Sequence, residues 1–189
     1  LALADGTVHE GIGFGAVAKV GGEVVFNTGI VGYPESITDP SYHGQILCQT
    51  YPLIGNYGVN PASFESDRPR IAGYIVSELC ERPSHAGSAK TLNDWLRESG
   101  VPGIAGVDTR ALTKKLRVHG VMPGLLAVTD GALSAKKLRI EASSLPDVNA
   151  RDLVAEVTTA EIRIYNPRAR RSVVLIDCGA KEGIVRSLV

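Results

Sequence analysis

Residues 173–189, VVLIDCGAKEGIVRSLV, run from four apolar side chains into Asp177-Cys178-Gly179 and on into a helix-forming stretch. Strand–turn–helix units of this kind place reactive groups at the carboxyl end of the strand. A catalytic thiol at Cys178 would need a histidine base, and the histidines are His9, His43, His85 and His119, all in the preceding part of the chain. A nucleophile elbow also needs small residues on both sides of its strained turn, whereas Asp177 precedes this cysteine. The plainer reading of Cys178 is a small apolar residue packed at a strand end. The turn Gly179-Ala180-Lys181-Glu182-Gly183 lacks both GxxxxGK[ST] and GxGxxG, so it is a weak phosphate loop. Lys181 and Glu182 would lie at the edge of a cleft there, or form a solvated pair at the start of the helix.

A second stretch with chemical potential is FNTGIVGYPESITDPSYHGQILCQTYPLIGNYGVN, residues 26–60. Loops this long and this rich in glycine, proline and asparagine are commonly functional in a compact domain. Asp39-Pro40-Ser41-Tyr42 has the form of a type I turn. Turned outward, the Ser41 hydroxyl and nearby amides could bind a carboxylate or an amide. Turned inward, Asp39 would satisfy its own backbone and the turn would be structural. His43 reads as a turn histidine rather than a base, and Asp108 as a helix N-cap. The run Arg168–Arg171 reads as a solvated linker, and Lys114, Lys115, Arg117, Lys136, Lys137 and Arg139 as solvent-facing helix charges.

The totals bound what this chemistry serves. The 189 residues are 44% hydrophobic and 21% charged, with a formal net charge of zero, as in an ordinary globular protein. That balance argues against a nucleic-acid binder, which needs cations to neutralise phosphates. The three cysteines, Cys48, Cys80 and Cys178, are far apart and without CxxC spacing, so neither a disulfide framework nor a metal site is expected. Reduced thiols fit a cytoplasmic protein. No apolar run approaches the roughly 20 residues of a membrane span, and LALADGTVHEG lacks signal-peptide form. With no initial methionine, the expectation is that a few leading residues were trimmed or left out.

The elements that must position these groups are legible in part. Asp5-Gly6 between Leu1–Ala4 and Thr7–Glu10 predicts a hairpin. Strands are expected at 23–28, 45–51, 70–77, 104–107, 125–128 and 173–176, the last fully buried in a parallel sheet. Residues 45–51 alternate polar and apolar like a strand. Helices are expected after Thr91, after Asp108 with Ala111, Leu112 and Leu116 on one face, over 132–143, and briefly over 153–157. A basic, proline-containing composition at 166–172 marks a linker. The expected organisation is a mixed α+β domain over 1–165, a linker over 166–172, and the first strand and helix of an α/β domain over 173–189.

FNTGIVGYPESITDPSYHGQI, TYPLIGNYGVN, GIAGVDTRALTKKLR, DLVAEVTT and VVLIDCGAKEGIVRSLV together resemble the small (glutaminase) subunit of carbamoyl-phosphate synthase, in that family's order and across the whole chain. The resemblance implies a three-layer β/β/α swivelling domain followed by the start of an α/β glutamine amidotransferase domain. It implies a ligase that makes carbamoyl phosphate from glutamine, bicarbonate and two ATP, in arginine or pyrimidine biosynthesis. The implied partner is a large synthetase subunit, which would use the ATP and Mg; no cofactor or metal is implied for this chain. The family's cysteine and histidine would lie downstream of Val189, leaving residues 1–189 inert alone and Cys178 a packing residue. The resemblance gives Ser41 a role in holding glutamine. Alternatives remain: a non-catalytic adaptor for the synthetase, or a cysteine hydrolase using Cys178 and His43.

Overall fold

A computed structural model describes residues 1–146 and 150–189. Its strands are β1 (Ala2–Leu3), β2 (Ile12–Gly15), β3 (Lys19–Asn27), β4 (Ile46–Gln49), β5 (Leu53–Ile54), β6 (Gly73–Ile75), β7 (Glu78–Leu79), β8 (Pro102–Ala105) and β9 (Met122–Ala127). Its helices are α1 (Tyr33–Thr38), α2 (Leu92–Glu98), α3 (Thr109–His119), α4 (Ala135–Ser143), α5 (Leu153–Val157) and α6 (Glu182–Leu188), with short 3-10 turns at Pro40–Tyr42 and Pro61–Ser63. Seven strands form a mixed sheet in the order β1-β9-β3-β4-β6-β8-β2, and β5 pairs with β7 separately. The middle of the large sheet, β3-β4-β6-β8, is parallel; the flanking pairs are antiparallel.

Side-chain alternation in the parallel strands feeds two cores. On one face, Val24, Ile46, Cys48, Ile75 and Ile104 pack with Leu112 and Leu116 of α3. On the other, Val25, Leu47 and Tyr74 pack with Tyr33 and Ile37 of α1 and with Leu92, Trp95 and Leu96 of α2. Strand β4 is therefore buried along its whole length, Gln49 included. The strand expected there forms, and with helices on both faces its alternation chooses between two cores rather than between core and water. Burial of Cys48 pushes its thiol up to about 12, so it is inert at neutral pH.

Several expected elements form for the reasons given. The Asp5-Gly6 hairpin closes through Leu3 N–H to Thr7 O at 2.8 Å. Thr91 caps α2 by accepting from Asp94 N–H at 3.1 Å, and Asp108 caps α3 by accepting from Ala111 N–H at 2.8 Å. On α3 the buried stripe is Thr109, Leu112 and Leu116, while Ala111 is exposed. Helix α4 starts at Ala135, later than expected, and of Leu133, Leu138 and Ile140, the large apolar residues of the expected 132–143 span, only Leu138 is buried. It packs through Leu138 and Ala142 on Ala2 and Leu125.

Two differences matter more. Strand β2, inside the glycine-punctuated stretch, was not expected; it pairs with β8 from Ile12↔Ala105 to Gly15↔Pro102. The sheet curls there, and a Cβ on Gly13 would lie 2.7 Å from Val128 Cγ1. The buried strand expected at 173–176 is not formed. Val173, Val174, Leu175 and Ile176 are exposed, Val174 at 89%, and among the described residues no strand lies beside them to take up their backbone hydrogen bonds.

Two substitutions test this frame. Leu47→Ala should cost about 2–5 kcal/mol in urea unfolding, because Leu47 is wholly buried between α1 and α2. Asp108→Ala should cost about 1 kcal/mol by removing the α3 cap. The reverse ranking would contradict the two-core description.

Candidate functional site

The predicted turn forms as a 3-10 turn immediately after α1. Tyr42 N–H donates to Asp39 O at 3.0 Å, and Ser41 N–H donates to Asp39 Oδ1 at 2.9 Å. Ser41 is exposed, whereas Asp39 is buried at 9%. Asp39 thus satisfies the backbone of the turn, as the structural reading expects, and Ser41 is left exposed. The preceding Thr38, fully buried, anchors the turn. Its hydroxyl donates to Pro34 O at 2.8 Å and accepts from Glu65 N–H at 2.9 Å, and its carbonyl accepts from Ser66 Oγ at 2.6 Å. Arg70 N–H to Ile37 O at 2.8 Å completes the clamp of loop 64–70 on α1.

Two acidic side chains of this region receive the turn and helix at 177–188. Lys181 Nζ donates to Asp39 Oδ2 at 3.0 Å. That hydrogen bond and charge raise the Lys181 ammonium above its ordinary value. Glu65 accepts Gly183 N–H at 2.7 Å through Oε2, and its carbonyl accepts Glu182 N–H at 2.9 Å. Arg186 adds contacts to Phe64 O at 3.1 Å and Glu65 Oε1 at 3.4 Å. Gly179, at φ +95°, passes so close to Val157 that a Cβ would lie 2.7 Å from its Cγ2. The structure thus brings Lys181 to the same carboxylate that caps Ser41. Glu182 is turned toward Arg163, 3.9 Å away.

A cleft of about 660 Å³ opens between loop 61–70 and the 156–186 stretch. Pro40, Glu65, Asp177, Glu182 and Arg186 line it, while Ser41 and Lys181 do not. Sequence reasoning missed Glu65 and Thr38: Glu65 acts on residues more than a hundred positions away, and Thr38 is clamped from loop 64–70.

The remaining candidates separate. Cys178 is exposed, so the packed strand-end position expected for it is corrected: the strand that would bury it is not formed. His43 Nε2 lies 2.9 Å from Glu156 Oε2, and its Nδ1 is buried without a partner. No hydrogen bond joins His43 to Cys178; His43 is engaged by Glu156 instead. Among the described residues, no three His, Cys, Asp or Glu side chains gather to hold a metal ion, and no helix is long and apolar enough to cross a membrane.

Comparison with known proteins identifies a family. Residues 1–126 match the family described as carbamoyl-phosphate synthase small chain, CPSase domain. The whole chain is 47% identical to the carbamoyl phosphate synthase small chain of Archaeoglobus fulgidus, covering 52% of it. It is 48% identical over its whole length to that of Fusobacterium nucleatum, covering 51%. It is 45% identical to the pyrimidine-specific small chain of Bacillus subtilis, again over the whole chain and 50% of the relative. The chain therefore spans about half the length of these relatives.

The turn at Asp177 gives a pH test. Oδ1 accepts Gly179 and Ala180 N–H at 2.8 and 2.7 Å, and Oδ2 accepts Thr159 N–H at 2.8 Å. Partial burial pushes this carboxyl up, but the three backbone donors outweigh it and hold it below the ordinary 3.8. A depressed carboxyl stabilises the fold above its ordinary value and loses that contribution as pH falls through the lowered one. Hydrogen-exchange protection at residues 159, 179 and 180 should be flat near neutrality and collapse below about pH 4. Asp177→Ala should remove it at every pH; unchanged protection would refute the assignment.

Proposed function

The chain belongs to the carbamoyl-phosphate synthase small-chain family, and from that premise we propose that it is the amino-terminal part of a glutamine-hydrolysing small subunit. In this reading it docks a large synthetase subunit and supplies one wall of a glutamine site. The observation that carries it is the meeting of the Ser41 turn with the 177–186 unit on a single carboxylate, Asp39. That contact sets an outward hydroxyl beside the turn and helix with which an amidotransferase domain would begin.

The chemistry asked of the whole subunit is amide hydrolysis. A cysteine thiolate attacks the glutamine carboxamide carbon, the C–N bond breaks, and ammonia leaves with a proton from a histidine. Water then cleaves the thioester to glutamate and frees the thiol. Both catalytic residues lie outside residues 1–189 in this reading, so this stretch alone is inert. Ser41 holds glutamine by a hydrogen bond, and Lys181 and Glu182 border the approach. Ammonia passes to the partner, where ATP and Mg are used; free in water at neutral pH it would be protonated and lost, which is why the two subunits must close on each other.

The same reading divides the chain into a domain over 1–165, layered β/β/α, a linker over 166–172 and the first β–α unit over 173–189. The exposed run from Glu161 to Ile176 contains that linker, and in this reading 173–176 would pair as a strand only against further strands of the second domain. A cytoplasmic protein without nucleic-acid or membrane contact, serving arginine or pyrimidine synthesis, completes it. A non-catalytic adaptor is the second reading, favoured by Ile12, 76% exposed on edge strand β2; it leaves the Asp39–Lys181 contact without a purpose.

The test is Ser41→Ala in the full-length subunit assembled with its large partner. Loss of one hydrogen bond should raise the KM for glutamine about 3- to 10-fold, with ammonia-dependent synthesis unchanged. An unaltered KM would leave Ser41 a structural turn residue and favour the adaptor.

A further inference from the structure

Within the glutamine-site reading above, we propose that Asp39 is the positioning residue of the pocket. One carboxylate sets the Ser41 turn with Oδ1 and ties it to Lys181 with Oδ2, fixing the Ser41 hydroxyl relative to the 177–186 unit. The two contacts, 2.9 Å to Ser41 N–H and 3.0 Å to Lys181 Nζ, use the two different oxygens. They therefore do not compete, and rotation of the carboxyl would break both together.

The surroundings make this a constraint rather than a chance surface pair. The Asp39 side chain is 12% exposed against 43% for Lys181. An exposed ion pair contributes little, but a carboxylate withdrawn from water needs its partners kept. Upstream, Asp39 is held by Thr38, clamped to Pro34, Glu65 and Ser66. Downstream, its carbonyl closes the turn on Tyr42 N–H. Ser41 N–H engages one oxygen of the carboxyl group and Lys181 the other, so the two together hold its orientation.

Glu65 makes the idea separable from simple docking. It holds Gly183 N–H and Arg186 independently of Asp39. Removing the Asp39–Lys181 bond thus leaves the turn and helix seated on Glu65 while untying the Ser41 turn from Lys181. Asparagine at position 39 still accepts from Ser41 N–H, but offers Lys181 either a neutral oxygen or an amide donor.

The experiment uses the full-length subunit with its large partner and compares Asp39→Asn, Ser41→Ala and the double variant. Asp39→Asn should raise the KM for glutamine about 3- to 10-fold, the loss of one charge-assisted bond, with kcat and ammonia-dependent synthesis unchanged. The double variant should be no worse than Ser41→Ala alone, because residues acting through one another are non-additive. A rise in KM for Ser41→Ala with none for Asp39→Asn, or full additivity, overturns the positioning role and leaves the glutamine-site reading standing. No change in Ser41→Ala removes that reading, and this inference with it. Should Asp39→Asn lower the unfolding midpoint enough to impair assembly, Asp39→Ser replaces it, keeping a capping oxygen without the charge; the same shift in KM is expected, and its absence counts against the proposal.

Discussion

Parallel pairing of β3 with β4, from Val24↔Ile46 to Asn27↔Gln49, is the constraint from which the site follows. Parallel neighbours cannot be joined by a tight turn, so the chain must return the length of the strand before it can pair again. Residues 28–45 make that return, carrying α1, Thr38, Asp39 and Ser41. Polar groups at the strand ends steer its start: Gly29 N–H donates to Asn27 Oδ1 at 2.6 Å, and Gln49 Nε2 donates to Gly29 O at 2.8 Å. Asn27 also reaches Ser36 and Tyr42, at 3.1 and 3.2 Å. A return path fixed at both ends presents its turn in one place, which is the condition for a side chain on it to act as a fixed contact.

Burial of the sheet on both faces explains which parts of the fold are legible in the sequence. Helices α2 and α3 announce themselves through Thr91, Asp108 and their apolar spacing, because those signals are local. Strand β2 does not, because Ile12-Gly13-Phe14-Gly15 has the composition of a turn. Its glycines serve close approach: Gly13 leaves room for Val128, and the Phe14 ring lies where a Cβ on Gly103 would stand. Strand β4 was legible as a strand but not as a doubly covered one, since whether water or a second helix faces Gln45–Tyr51 depends on α1 and α2, packed from outside that stretch.

The same division runs through the site. The Asp39–Tyr42 turn was readable, because proline after aspartate sets its dihedral and its cap within four residues. The outward placement of Ser41 was left open, because it depends on how Thr38 is clamped by a loop some 27 positions later. Lys181 was picked out as a cleft edge, yet its partner was invisible at a separation of 142 residues. The apolar run at 173–176 misled in the opposite sense: its pattern specifies a strand that needs neighbours, and a strand exists only where neighbours pair with it.

The junction between the 177–188 unit and the rest of the chain is made mostly of polar contacts. Lys181 on Asp39, Gly183 and Arg186 on Glu65, and Thr159 on Asp177 supply its directional bonds, while Ile184 and Leu188 of α6 stay exposed. An apolar junction would gain stability in proportion to area and tolerate sliding, because hydrophobic contact has no direction. Charge-assisted bonds fix distance and orientation, and weaken as salt screens them. Tight approach enforces the same geometry sterically, Gly179 lying against Val157 and Pro40. A junction between two chain segments that is held by such bonds has its separation and orientation set closely. Directional bonds at Asp39 and Glu65 do this better than additional apolar area would.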